Sequence, residues 1–128
     1  MLDPANTELV ARVVERLRAL ADASRVRILA RLQTGPANVS TLTTALHMNQ
    51  ASVSKHLAVL RQAGLVAADR IGTHAVYRIA DPGVMALCDR VCEGVLDHLH
   101  KQQQMLAAAM PEQNSAASRR RTRPAHAD

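Results

Sequence analysis

A mainly α-helical fold with one small β-hairpin is predicted by three observations. Apolar residues recur at helical spacing in five separate stretches of the 128-residue chain. Two short strand-like runs, at 65–70 and 74–79, are separated by a turn through Gly72. The third observation is their order: four helices, the hairpin, then one long helix. A helix-turn-helix followed by a β-ribbon is the winged helix-turn-helix plan, in which the ribbon can lie along a phosphate backbone or enter a minor groove.

The first helix spans 7–20, where Leu9, Val10, Val13, Val14, Leu17 and Leu20 form an apolar stripe, with a start near Pro4. The second covers 25–32 through Val26, Ile28, Leu29 and Leu32, with Asp22 or Ser24 as its N-cap. Thr34-Gly35-Pro36 ends it. The third carries Leu42, Ala45 and Leu46 at helical spacing, and His47-Met48-Asn49 breaks it. The fourth opens at Gln50, aligns Val53, Leu57 and Leu60 on one face, and closes at Gly64, a residue free to adopt positive φ. Asp81-Pro82 starts the last helix, which runs to about Met110 before Pro111. We expect residues 1–110 to form one DNA-binding and dimerisation domain. Residues 111–128 lack apolar periodicity and read as a disordered basic tail, in which Arg119, Arg120, Arg121 and Arg123 add non-specific phosphate attraction or are simply solvated.

One Tyr, no Trp and no Phe force an aliphatic core. A chain this short is marginal alone with so little ring area to bury, which argues for a homodimer sharing its core. A net charge of +5 suggests a polyanion partner. There is no apolar run of bilayer length and no signal-like start, and two cysteines in one helix make no disulfide framework; these point to a cytoplasmic protein with no membrane partner. The chain has no nucleophile with a base in motif context, no Gly-rich phosphate loop and no paired carboxylates, which argues against an enzyme.

ALADASRVRILARL at 19–32, ASVSKHLAVLRQAGLV at 51–66 and THAVYRIAD at 73–81 resemble the ArsR/SmtB family of bacterial repressors. The likeness covers about residues 8 to 100. It implies a dimer joined largely by the first and last helices, bound to double-stranded operator DNA and released by a metal ion, metalloid or other small signal. Two departures stand out. The founding metalloid sensors carry Cys-Val-Cys in the first helix of the helix-turn-helix, where this chain has LTTALHM. The zinc sensors carry an Asp, His, His and Glu-or-His set on the last helix, and the spacing of Asp89, Asp97, His98 and His100 does not reproduce it.

By the same resemblance Gln50, Ser52, Ser54, Lys55 and His56 are candidate DNA contacts, with Arg70, Thr73 and His74 at the wing. Chemistry supports the set independently. Gln can pair bidentately with adenine, Ser hydroxyls reach base edges or phosphates, and Lys55 can clamp a phosphate. His56 neighbours Leu57 and could instead cap or pack. A dimer would place two such helices on half-sites one or more turns apart, at about 34–36 Å per turn.

Cys88 and Cys92 are four apart on the last helix, so they share a face with Val84, Val91, Val95, Leu99 and Leu106. Two readings follow. Both cysteines can be small apolar fillers in a dimer seam. Alternatively, two soft sulfurs can chelate As(III), Sb(III) or a thiophilic divalent ion, with further ligands from His98, Asp89, Glu93 or a second chain. A thiol-redox or reactive-sulfur sensor is a third possibility, although a disulfide between helical i and i+4 positions is strained. A DNA-binding protein that senses nothing would share every DNA feature.

Overall fold

The computed structural model of the chain describes residues 1–110; the predicted tail at 111–128, with its arginine run, lies outside the described residues. The elements are α1 (Thr7–Leu20), α2 (Ala23–Leu32), β1 (Ala37–Asn38), α3 (Val39–Leu46), α4 (Gln50–Gln62), β2 (Val66–Ile71), β3 (His74–Ile79) and α5 (Pro82–Ala108). The five predicted helices are present. The hairpin is part of a three-stranded antiparallel sheet ordered β1-β3-β2. Sequence reading omits β1 because two residues leave no periodicity. Its existence depends on pairing across the chain, Ala37 with Tyr77 and Asn38 with Val76.

Backbone contacts gather the chain into two compact units, Met1–Leu87 and a second that begins at Cys88. The core of the first is wholly aliphatic: Ile28, Leu29, Leu42, Val53, Leu57, Leu60 and Leu65 lose essentially all contact with solvent. α4 packs there against α2, α3 and β2. Several predicted apolar positions do not join it, Val26 of α2 among them. Ala45 is exposed, and along α1 only Ala19 is buried, while Leu9, Val14 and Leu17 face solvent. In the second unit every described residue from 89 to 110 is exposed, Val91, Val95, Leu99 and Leu106 included. Among the described residues no helix is long and apolar enough to cross a membrane.

Local chemistry fixes the junctions. Of the two proposed caps for α2, Asp22 serves, its carboxylate accepting from the Arg25 N–H at 3.1 Å. Asn38 and Asn49 cap α3 and α4 in the same way. α4 closes in a Schellman arrangement. Gly64 adopts φ +77°, its N–H donates to the Arg61 carbonyl, and the Leu65 N–H reaches back to Leu60. The hairpin turns in two residues, with φ +62° at Gly72. Asp81 accepts from the Gly83 N–H at 3.0 Å and starts α5 as the sequence requires. α5 ends at Ala108, two residues short of the predicted limit, because a residue preceding proline is pushed out of helical geometry.

The turn between α3 and α4 holds an anomaly. His47 is the only non-glycine residue with positive φ among those described, at +54°. Its N–H and that of Met48 both return to the Thr43 carbonyl, and Arg27 donates to the Leu46 carbonyl at 2.8 Å. A side chain in this conformation costs roughly 1–2 kcal/mol, partly offset in a glycine by the looser unfolded chain. His47 is exposed, so replacing it removes little packing. His47→Gly is therefore expected to raise the unfolding free energy by about 0.5–1 kcal/mol. A urea titration checks this, and a lowered midpoint would show that the imidazole contributes more than the backbone costs.

Candidate nucleic-acid interface

The two faces of α4 are divided by burial. Val53, Leu57 and Leu60 anchor it in the core, while Gln50, Ser54 and Lys55 stand in solvent on the other side. Asn49 secures its first turn, accepting from the Ser52 N–H at 2.7 Å. The free N–H groups at that end add partial positive charge where an anion would approach. Ser52 is half-buried. Arg70, Thr73 and His74 are exposed at the outer end of the β2–β3 ribbon. The register pairs Arg70 with Ala75 and Ala68 with Tyr77, so Arg70 and Tyr77 occupy one face of the ribbon. On the opposite face Asp69 is neutralised by Arg78, 2.8 Å away. One shallow groove joins the two elements, with Ser54 on the helix and Tyr77 on the sheet among its walls.

His56 stands apart from this exposed set. Its side chain is 16% exposed and lies 3.9 Å from an Asp22 carboxylate oxygen. Its Nδ1 is 3.4 Å from Nη1 of Arg25. Arg25 also donates from Nε to the Ala19 carbonyl at 2.6 Å and from Nη2 to the Arg18 carbonyl at 3.2 Å. One guanidinium thus closes the end of α1, sits in the first turn of α2 and braces the middle of α4. Asp22 is held below the usual carboxylate range, chiefly by the Arg25 N–H, with the charges of Arg25 and His56 acting in the same sense and burial opposing them. The sign follows: this cap stabilises the fold above the ordinary carboxylate pKa and is lost as pH falls through the lowered one. Sequence reading found the Asp22 cap but not Arg25, whose partner lies 31 positions away on another helix.

Both cysteines belong to the second unit. Cys88 is half-buried and Cys92 exposed, and both are free thiols. Burial pushes the Cys88 thiol up, and the Asp89 carboxylate adds to the effect. Cys88 and Cys92 lie one turn apart on α5. Among the described residues no three His, Cys, Asp or Glu side chains gather to complete a coordination shell within one chain. The candidates His98, Asp89 and Glu93 are not brought together with the sulfurs as such a group.

Residues 22–68 match the family of bacterial regulatory proteins, arsR family. The chain is 41% identical over 97 residues to the HTH-type transcriptional regulator NmtR of Mycobacterium tuberculosis, spanning 76% of this chain and 80% of that protein. It is 32% identical over 87 residues to the arsenical resistance operon repressor of Bacillus subtilis, covering 67% of this chain and 83% of that one. The fold is similar to the homodimeric winged helix-turn-helix DNA-binding domain of Mb0332 from Mycobacterium bovis, described as a possible ArsR-family regulator. There the TM-score is 0.67 at 34% identity, over 76% of this chain and 93% of that domain. Sequence and fold thus agree that this chain belongs to the arsR family of bacterial regulatory proteins, as a winged helix-turn-helix, DNA-binding regulator of transcription rather than an enzyme.

Proposed function

We propose that the protein is a cytoplasmic, homodimeric repressor that holds double-stranded operator DNA with α4 and the β2–β3 wing, and that a soft metal or metalloid ion at Cys88 and Cys92 releases it. The observation that carries the DNA half is the division of α4, whose core face is fully buried while Gln50, Ser54 and Lys55 stand free. In this reading Gln50 and Ser54 read base edges, Lys55 holds a phosphate, and Arg70, Thr73 and His74 follow the backbone at the wing. Ser52 contributes its hydroxyl at the edge of the surface. His56 works through α4's placement, since its ring is engaged by Arg25 and Asp22. The exposed apolar side chains of α1 and α5 are the surface a second copy covers, in keeping with the homodimer described for the M. bovis relative.

The sensor half rests on the two sulfurs and on the arsenical operon that the B. subtilis relative represses. A soft ion supplies a strong, proton-displacing bond to thiolates. Cys88 and Cys92 provide two donors, and a third comes from the partner chain or solvent. Simple thiol oxidation is the weaker alternative, because a disulfide between positions i and i+4 of one helix is strained. Release then requires the dimer to favour two arrangements, coupled to the ion by about 1–3 kcal/mol.

A gel shift on the gene's own upstream region, titrated with Cd(II), arsenite and a persulfide donor, tests both halves. Gln50→Ala and Ser54→Ala are expected to weaken retardation while the dimer persists; unchanged affinity in both removes α4 as the reading element. Cys88→Ser is expected to bind DNA as well as wild type but to resist the ion that loosens wild type by about 5–150-fold. Full release of Cys88→Ser by the same ion moves the sensor elsewhere.

A further inference from the structure

Between the outer face of α4 and the sheet lies an open groove of about 370 Å³, walled by Ser54, Ala58, Arg61, Gln62 and Tyr77. We propose that this groove is a phosphate seat, in which Arg61, Tyr77 and Ser54 grip the backbone of one DNA strand as it passes from the groove read by α4 to the groove under the wing. The inference rests on the DNA-binding reading above and adds two residues to it, Arg61 and Tyr77.

Spacing on α4 supplies the geometry. Ser54, Ala58 and Arg61 fall four and three apart, so they form a single row along the helix. The middle position is a methyl group, which leaves room between a hydroxyl and a guanidinium. The facing wall is Tyr77, half-buried on the inner strand of the ribbon, with its phenol able to donate. No carboxylate lines the groove. Among the described residues none of the three groups spends its donors elsewhere: no side-chain hydrogen bond or ion pair involves Ser54, Arg61 or Tyr77.

The chemistry selects the occupant. A cationic planar fork and two hydroxyl donors around an open slot match the oxygens of a phosphodiester. Topography selects the source. When α4 occupies a major groove and the wing the adjacent minor groove, the strand dividing the two must run between helix and sheet. Arg70, on the same ribbon face two residues further out, continues the cationic track. Contacts of this kind set register and carry no sequence information, so the groove acts on affinity and orientation alone.

Tyr77 is also the means of testing the idea. It is the chain's only Tyr, with no Trp or Phe, so ultraviolet emission reports on this one ring. The protein is titrated with a duplex from its own upstream region and with a scrambled duplex of equal length, at several salt concentrations, with affinity read by gel retardation for every variant and tyrosine emission followed for wild type. Tyrosine emission is expected to change on addition of either duplex. Tyr77→Phe, which keeps the ring and loses only the donor, is expected to weaken both complexes about tenfold. Arg61→Gln is expected to weaken both by similar factors and to reduce the slope of log affinity against log salt by about 1. Gln50→Ala, by contrast, is expected to narrow the preference between the two duplexes. If wild type binds and Gln50→Ala narrows that preference, yet Arg61→Gln and Tyr77→Phe keep wild-type affinity and slope, the phosphate seat is wrong and the DNA reading survives. If wild type retards neither duplex, both fall together.

Discussion

A protein carrying Leu57→Ala is expected to lose about 2–5 kcal/mol of unfolding free energy, the range for removing a buried leucine side chain and leaving a cavity. Leu57 is 0% exposed at the middle of α4, the helix against which α2, α3 and β2 all pack. No large ring is available nearby to swing into the vacancy, because the core contains only aliphatic side chains. Against the roughly 5–15 kcal/mol typical of a small domain, such a loss is a large fraction of the total. It should also spread to function, since Gln50, Ser54 and Lys55 are held in place only by the anchored face of the same helix. Urea unfolding followed by far-ultraviolet circular dichroism measures it. A cost below about 1 kcal/mol would mean that the core repacks freely and that α4 is not its anchor.

Leu99→Lys is expected to separate the proposed dimer. Leu99 is 50% exposed within its own chain, so the substitution removes little packing there, and any fall in helix content should accompany dissociation. A two-fold assembly would bury the new ammonium twice. A loss on the order of 2–4 kcal/mol raises the dissociation constant by roughly 30- to 900-fold. Sedimentation at micromolar protein should then show monomers, and affinity for a two-half-site duplex should fall with it. A Leu99→Lys protein that still sediments as a dimer would place the shared surface elsewhere.

The parts of the fold that were legible in sequence are those written in local chemistry. Val53, Leu57 and Leu60 repeat at helical spacing and are buried; Gly64 takes the positive φ its position demands; Asp81-Pro82 starts α5. What stayed hidden depends on distant partners. β1 is two residues that become a strand only beside β3. The stripe on α1 reads as core, yet Leu9, Val14 and Leu17 are exposed in the single chain, since periodicity marks a buried face without naming what buries it. The candidate site divides in the same manner. Gln50, Ser54, Lys55, Arg70, Thr73 and His74 lie exposed, as a contact surface must. The roles of Arg25 and Tyr77 emerge only when α4 is seen against α2 and the sheet, because neither residue shares a motif with its neighbours in space.

The bareness of α5 beyond Cys88 has a cellular corollary. A helix of 27 residues, about 40 Å long, cannot be held up by propensity alone when every described side chain from 89 to 110 faces water. Its folding is then tied by mass action to meeting another molecule. Newly made chains at low copy number would be the ones most open to proteolysis. Occupancy of target DNA would climb more steeply than in proportion to the dose of protein synthesised, giving the circuit a threshold.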